Sequence, residues 1–274
     1  MYRKIRITLA LLSIIAITFL FVDFTGVAQQ WWGWLVKIQF VPAFLSLNVI
    51  AIFVLLLITM IIGRAYCSVI CPLGILQDVI NHLRSWFGKE YKRKNRFVYT
   101  KPKTLLRVVT LLAFVVLIIL GICNIVGTSI ASFIEPYSAY GRIASSLIAP
   151  VYEAGNNMIA DAIVDTDCYW FYHVEKSRYL PLTIIAVLTL LVVGVMAWLG
   201  GRVYCNTICP VGTILGYISR YSLLKPIIDT TKCNGCTKCA RNGKSSCIDA
   251  KNHKIDYSRC VMCMNCVVNC SMGA

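Results

Sequence analysis

Long unbroken apolar runs, separated by short polar stretches, dominate the chain. Runs at 5–22, 42–62, 104–122 and 181–199 each approach the roughly 20 residues that cross a hydrocarbon core. They predict a mostly α membrane protein with four transmembrane helices. The first run follows Arg3 and Lys4 and contains Arg6, as a secretion signal would. Its end, Val22-Asp23-Phe24-Thr25-Gly26, has no small-x-small cleavage site, so a retained anchor is expected. After Lys225-Pro226 the apolar periodicity stops and small polar residues take over. The expected division is therefore a membrane domain at 1–224 and a separate small α+β module at 225–274.

Composition agrees with a membrane protein. Hydrophobic residues make up 58% of the 274 and charged ones 14%, where soluble domains carry about 25% charge. That excludes a soluble enzyme and a disordered chain. The 27 Lys and Arg against 12 Asp and Glu give a net charge of +15, yet the cations flank apolar runs, which fits topology rather than nucleic acid. Residues 63–104 hold nine of them: Arg64, Arg84, Lys89, Lys92, Arg93, Lys94, Arg96, Lys101 and Lys103. Segments 23–41 and 127–180 hold only Lys37, Arg142, Lys176 and Arg178, against seven acids that include Glu135, Asp161, Asp165 and Asp167. Cations are retained on the cytoplasmic side, so both termini are expected there. The Lys89–Lys103 loop then reads as a retention signal lying on anionic lipid.

One segment occurs twice. Gly63-Arg64-Ala65-Tyr66-Cys67-Ser68-Val69-Ile70-Cys71-Pro72-Leu73-Gly74 and Gly201-Arg202-Val203-Tyr204-Cys205-Asn206-Thr207-Ile208-Cys209-Pro210-Val211-Gly212 share eight of twelve residues at an offset of 138. Each copy follows the second helix of a pair, which suggests two parallel helix-hairpin repeats related by an axis along the membrane normal. Gln39-Phe40-Val41-Pro42 and Phe133-Ile134-Glu135-Pro136 are a weaker echo of the same duplication. Symmetry would bring Cys67, Cys71, Cys205 and Cys209 together at the cytoplasmic membrane edge. A bound metal or cluster, a thiol–disulfide pair and plain burial of small residues all remain open for them. The arginine before each first cysteine is expected to favour thiolate, while Arg64, Tyr66, Arg202 and Tyr204 are expected to anchor helix ends at the interface.

The tail has a different pattern: Cys233-x2-Cys236-x2-Cys239, Cys247, then Cys260-x2-Cys263-x2-Cys266-x3-Cys270. Two consecutive triplets suit two 4Fe–4S clusters better than zinc, which usually takes separated Cys pairs. A reducing compartment disfavours disulfides. Crossed ligation puts Cys233, Cys236, Cys239 and Cys270 on cluster I and Cys260, Cys263, Cys266 and Cys247 on cluster II. The tail resembles bacterial two-cluster ferredoxins, with seven rather than three residues before Cys247 and Ser271 where proline is usual. Its cations (Lys232, Lys238, Arg241, Lys244, Lys251, Lys254 and Arg259) are expected to offset cluster charge and meet headgroups, with an acidic redox partner as the alternative. Only His82, His173 and His253 occur, none in an expected span, so no haem is expected; nor does any Gly-rich phosphate loop follow a strand. Cys123 and Cys168, on the outer side, are expected to be unpaired.

With its duplicated Cys-x3-Cys-Pro segments and two-cluster tail, the chain resembles NapH-type quinol dehydrogenase membrane subunits, kin to the NosR- and FixG-related 4Fe–4S polyferredoxins. The flavin-binding domain of NosR and the C-terminal sandwich domain of FixG-type members are not expected here. The resemblance implies a bacterial inner-membrane protein that passes electrons between the quinone pool and a respiratory reductase or other redox partner. The FixG-type kinship offers the alternative of a donor that reduces a metal such as Cu(II), or a cofactor, during maturation of another enzyme. Quinol chemistry moves two protons, and Glu135 beside Pro136 is the candidate acid on the outer side.

Overall fold

Runs of Leu, Ile and Val without interior breakers form helices, and the longest turn their side chains outward. The computed structural model describes residues 2–87, 97–123, 125–162, 173–174 and 179–274. It is mostly helical. The first half runs through α1 (Tyr2–Val22), three short helices α2 (Val27–Trp32), α3 (Trp34–Lys37) and α4 (Phe40–Leu45), then α5 (Val49–Ile62), α6 (Tyr66–Val69) and α7 (Pro72–Phe87). The second half holds α8 (Thr104–Cys123), α9 (Ile125–Ile134) and α10 (Pro136–Ile143). A π-helical turn at Ala144–Ile148 leads into α11 (Ala149–Ala162), followed by α12 (Leu180–Gly200), α13 (Val203–Thr207) and α14 (Pro210–Ser219). The tail adds α15 (Lys238–Asn242), β1 (Ile248–Asp249), β2 (Lys254–Ile255) and α16 (Asn265–Val268).

Among the described residues three helices, α1, α8 and α12, are long and apolar enough to cross a membrane. At 1.5 Å per residue a 21-residue helix spans about 31 Å. In α8 only 11% of the apolar window is buried within the protein, so its side chains need an apolar surrounding rather than water. The run at 42–62 does not form one helix. Ser46 caps α4, Leu47 takes a left-handed φ of 52°, and Asn48 caps α5 by accepting a hydrogen bond from Ala51 N at 3.2 Å. That leaves α5 with 14 residues, all apolar but Thr59, about 21 Å of helix.

The segment that follows α8 is also helical. Helix α9 folds back along α8, and α10 leaves at Glu135-Pro136 to pack on α12 and α7. Helices α5 and α12 both end on a glycine with positive φ, Gly63 at 78° and Gly201 at 75°. Both glycine amides bond the carbonyl four residues back, at Thr59 and Ala197. The tail packs against these two ends: an added Cβ on Gly63 would stand 3.1 Å from Met262 Cγ, and one on Gly201 would collide with Lys244 O. Strands β1 and β2 pair antiparallel, Ile248 with Ile255 and Asp249 with Lys254. Lys89, Lys92, Arg93, Lys94, Arg96, Asp165, Asp167, Cys168, Lys176 and Arg178 lie outside the described residues, as does the Cys123 side chain.

Candidate functional site

Each Cys-x3-Cys-Pro segment is a short helix followed by a sharp turn. Ile70 N and Cys71 N both bond Tyr66 O, and Ile208 N and Cys209 N both bond Tyr204 O, at 3.0 and 3.1 Å in each copy. The turn aims both cysteines of a segment inward, and Pro72 and Pro210 then start α7 and α14, where a missing N–H costs nothing. Cys67, Cys71, Cys205 and Cys209 are all buried, and their thiols lie within electrostatic reach of one another.

Two arginines lock this group from opposite sides. Arg64 donates to Cys205 O at 3.1 Å and Asn206 Oδ1 at 2.9 Å, with Cys67 Sγ 4.0 Å away. Arg202 donates to Cys67 O at 2.6 Å and grips Asp78 through two 2.9 Å bonds. Both are 0% exposed, and Tyr66 and Tyr204 are buried. The expectation that these four side chains anchor helix ends at the interface is therefore wrong: a guanidinium can reach a carbonyl of the opposite segment, and that bond holds it inside. Glycines at 74 and 212 leave room for it, since a Cβ at Gly212 would stand 2.8 Å from Arg64 Nη2. Arg202 and Arg64 favour the Cys205 thiolate, but burial outweighs them. Burial pushes the Cys71, Cys205 and Cys209 thiols up, the neighbouring sulfurs push further, and the arginines beside Cys205 only partly oppose this.

The outer face of the thiol group is polar. Tyr66 donates to Gln39 Oε1 at 2.7 Å, Tyr204 donates to Ile134 O at 2.7 Å, and both rings lie within electrostatic reach of the thiols and of Glu135. Glu135 is 3% exposed and caps α10, with Oε2 accepting from Ser138 N at 2.8 Å and from the Ser138 hydroxyl. Among the described residues, Glu135 Oε1 and Gln39 Nε2 have no partner.

The inner face meets the tail. Arg64 Nη1 donates to Ser258 O at 3.0 Å, two residues before Cys260, and Arg107 holds the Ser258 hydroxyl at 3.0 Å. Arg202 N donates to Lys244 O at 3.0 Å, and Asn206 donates to Ser245 O at 3.3 Å. Within the tail, one cavity is lined by Cys247, Cys260, Cys263 and Cys266, and a second by Cys233, Cys236, Cys239 and Cys270 together with Cys266. The first lies toward the thiol group, since Met262 and Lys244 line it and meet Gly63 and Gly201. Cys236, on the second, is exposed. Burial, then the sulfurs of Cys263 and Cys260, push the Cys266 thiol up to about 12.

Sequence reasoning passed over Gln39, Gln77, Asp78 and Asn206. Gln77 donates to Cys205 Sγ at 3.2 Å. Asp78 takes Arg202, Lys244 at 2.9 Å and Arg6 at 3.5 Å, so despite burial these cations hold its carboxyl far below the usual range. The adjacent Gln77-Asp78 pair, one turn after Pro72 in an otherwise apolar stretch, was the available signal.

The donor set fits iron–sulfur clusters. All three groupings are cysteine quartets, and N–H groups point at sulfur from Gln77 and from Gly212, the latter at 3.3 Å. Among the described residues no three His, Cys, Asp or Glu groups are gathered closely enough for a single ion; thiolates on separate irons of a cube stand farther apart than four on one ion.

Fold and site together define a mostly helical protein with three candidate spans and cysteine quartets suited to iron–sulfur clusters. Residues 44–93 and 180–230 match the family described as a 4Fe-4S binding domain, and each match holds one Cys-x3-Cys-Pro segment, which supports iron–sulfur clusters. The chain is 23% identical over 234 residues to an uncharacterized protein of Methanocaldococcus jannaschii, covering 83% of this chain and 69% of that one. A second uncharacterized protein of that organism is 23% identical over 224 residues, covering 81% and 74%. The protein named "Putative electron transport protein YccM" of Escherichia coli (strain K12) is 22% identical over 224 residues, covering 80% of this chain and 52% of that one. No solved structure matches.

Proposed function

We propose that this chain is a membrane-bound iron–sulfur electron carrier of the NapH type, related to NosR and FixG polyferredoxins, that passes electrons between the quinone pool and a respiratory reductase or other redox partner. The likeness to a protein named for electron transport and the two matches to a 4Fe-4S binding domain support the general reading. The observation that carries it is the join at Arg64. One buried guanidinium touches the membrane-edge thiol group on one side and the backbone leading to Cys260 on the other.

Two 4Fe–4S clusters supply one-electron carriers when bound. Cys260, Cys263, Cys266 and Cys247 hold cluster II on the membrane side; Cys233, Cys236, Cys239 and Cys270 hold cluster I toward the exposed surface where a redox partner docks. Cys67, Cys71, Cys205 and Cys209 form a further metal or cluster site, with Gln77 and Gly212 donating to sulfur and Arg64 and Arg202 fixing the segments. Glu135 handles a proton at the outer face of that group. In this reading α5 is a short fourth crossing, and two parallel hairpins are related by an axis along the membrane normal. Residues 1–224 form the membrane domain and 225–274 the ferredoxin-like domain. Both termini lie in the cytoplasm, at a bacterial inner membrane.

The test is anaerobic purification with iron and sulfide counting, then EPR after reduction by a menaquinol analogue, for wild type and a Cys67→Ser/Cys205→Ser variant. About eight irons per chain are expected from the tail, and about twelve if the thiol group holds a cube as well. Reduction by quinol in wild type and its loss in the variant are expected. Intact clusters that quinol never reduces, but that reduce Cu(II) after dithionite treatment, would instead identify a donor for metal reduction in enzyme maturation.

A further inference from the structure

The largest cavity among the described residues lies away from the thiol group, where the first turns of α1, the middle of α7 and the tail meet. It measures about 550 Å³, within the usual size range of small-molecule sites. One side of it is strongly cationic. Arg3 and Arg6 on α1, Arg84 on α7 and Lys244 in the tail line it, with His82 at the rim, and Asp78 is the one acid among the described lining residues. That carboxylate also takes Arg202, from outside the cavity, through two 2.9 Å bonds. Five cations therefore stand around one carboxylate, and an excess of like charge with little water is costly unless an anion offsets it.

The cationic side is open to a ligand. Arg3 is exposed, and the Lys244 side chain is 20% exposed. Arg6 reaches Asp78 at 3.5 Å, longer than a good hydrogen bond, so its guanidinium is not used up by that contact. Arg84 donates to Trp198 O, which holds its fork beside the end of α12. The asparagines of the lining, Asn81, Asn242, Asn265 and Asn269, each give Nδ2 to a backbone carbonyl, so recognition falls to the cations.

The opposite side is apolar. Ile7 and Leu11 on α1 and Val79 and Leu83 on α7 line it, and all four are exposed. Where α1 crosses a bilayer, this wall faces hydrocarbon. A soluble phosphate compound has no use for such a wall, and a neutral head would leave the excess charge standing. A phospholipid matches both sides, with its phosphodiester among the arginines, whose forks suit phosphate oxygens, and an acyl chain along α1 and α7. A zwitterionic headgroup cancels its phosphate with a cation of its own; an anionic one does not.

We infer that this cavity holds one anionic phospholipid, whose phosphodiester ties Arg3 and Arg6 on α1 to Lys244 in the tail and so clamps the tail to the membrane helices. The inference goes beyond the electron-transfer reading and holds whatever the electron donor is; it rests on α1 lying in a membrane.

The test titrates the purified full chain with its clusters, in detergent, with phosphatidylglycerol and counts bound lipid by native mass spectrometry. One phosphatidylglycerol per chain is expected to bind ahead of all others and ahead of phosphatidylcholine with the same acyl chains. Arg3→Gln/Arg6→Gln leaves Asp78 with Arg202 and Lys244 and should weaken this binding roughly thirtyfold, about fivefold for each cation lost. Val79→Trp, which narrows the apolar wall, should weaken it without removing a charge, and Lys4→Gln, outside the lining, should leave it unchanged. Bound phosphatidylglycerol should also slow proteolytic release of residues 225–274 in wild type but not in the double variant. Equal affinity for phosphatidylcholine, or wild-type affinity in both the double variant and Val79→Trp, would overturn the site. Displacement of the lipid by inorganic phosphate or glycerophosphoglycerol would make it a site for soluble phosphates and overturn the lipid. Release of the tail at one rate with and without bound lipid would overturn the clamp. A chain that stays monodisperse without detergent would overturn the membrane placement of α1, and the inference with it.

Discussion

Arg64 places its donors on three buried oxygens, Asn206 Oδ1, Cys205 O and Ser258 O, that belong to the opposite segment and to the tail. Replacement by leucine strands those acceptors without water, at roughly 1–3 kcal/mol for each that finds no substitute. Arg107 also reaches Ser258 O, at 3.3 Å, so the loss falls mainly on the other two. Lysine keeps the charge but lacks the planar fork that serves Nη1 and Nη2 partners at once. Arg64→Leu is therefore expected to release the 225–274 fragment under limited proteolysis at least about tenfold faster than wild type, since 1.4 kcal/mol is one decade, with Arg64→Lys between the two. Release at the wild-type rate in Arg64→Leu would mean that docking is carried elsewhere.

At the scale of elements, the ends of α5 and α12 decide where the tail can sit. Gly201 has a φ of 75°, which disfavours any side chain, and its missing Cβ is where Lys244 O lies. Gly194, mid-helix in α12, has nothing within 4 Å of its Cβ position. Gly201→Ala is expected to lower thermal stability in detergent by about 1–2 kcal/mol, whereas Gly194→Ala should be neutral or stabilising by up to about 1 kcal/mol; equal effects would refute this account of the helix end. The three long helices were legible because apolar run length is a strong signal. The break in 42–62 was not, because Asn48 is a single capping residue among apolar neighbours and only the backbone reveals Leu47 in the left-handed region. Helices α9 and α10 were missed for a related reason: at 10 and 8 residues neither is long enough to read as a span, and the acid and proline that begin α10 also fit a loop. At the site, the duplication made the four cysteines legible. It could not place Arg64 and Arg202, because a cation beside an apolar run reads as an interface anchor until the opposing carbonyl is known.

Across the whole molecule, Asp78 ties together parts distant in sequence: Arg6 on α1, Arg202 at the end of α12 and Lys244 in the tail all reach it. Its side chain is 13% exposed, and Arg6 and Arg202 are 5% and 0% exposed. Without the carboxylate, three cations would crowd a site with little water. Burial alone would raise the Asp78 pKa, but Arg202 and then Lys244 outweigh it and depress the folded-state value far below the unfolded value of about 4. A depressed carboxyl stabilises the fold fully above the unfolded pKa and loses that contribution as pH falls toward the folded one. The junction between tail and membrane helices should therefore hold unchanged from pH 7 to about pH 5 and weaken only below about pH 4. Asp78→Asn removes the charge at every pH, and breaking a buried ion pair on one side costs on the order of 3–5 kcal/mol. Proteolytic release of the tail in this variant should be fast at pH 7 and nearly flat with pH, while wild type approaches it only in acid. A wild-type profile that changes between pH 7 and 5 would place the controlling group elsewhere, and a stable Asp78→Asn junction would show that Arg202 is held chiefly by Cys67 O.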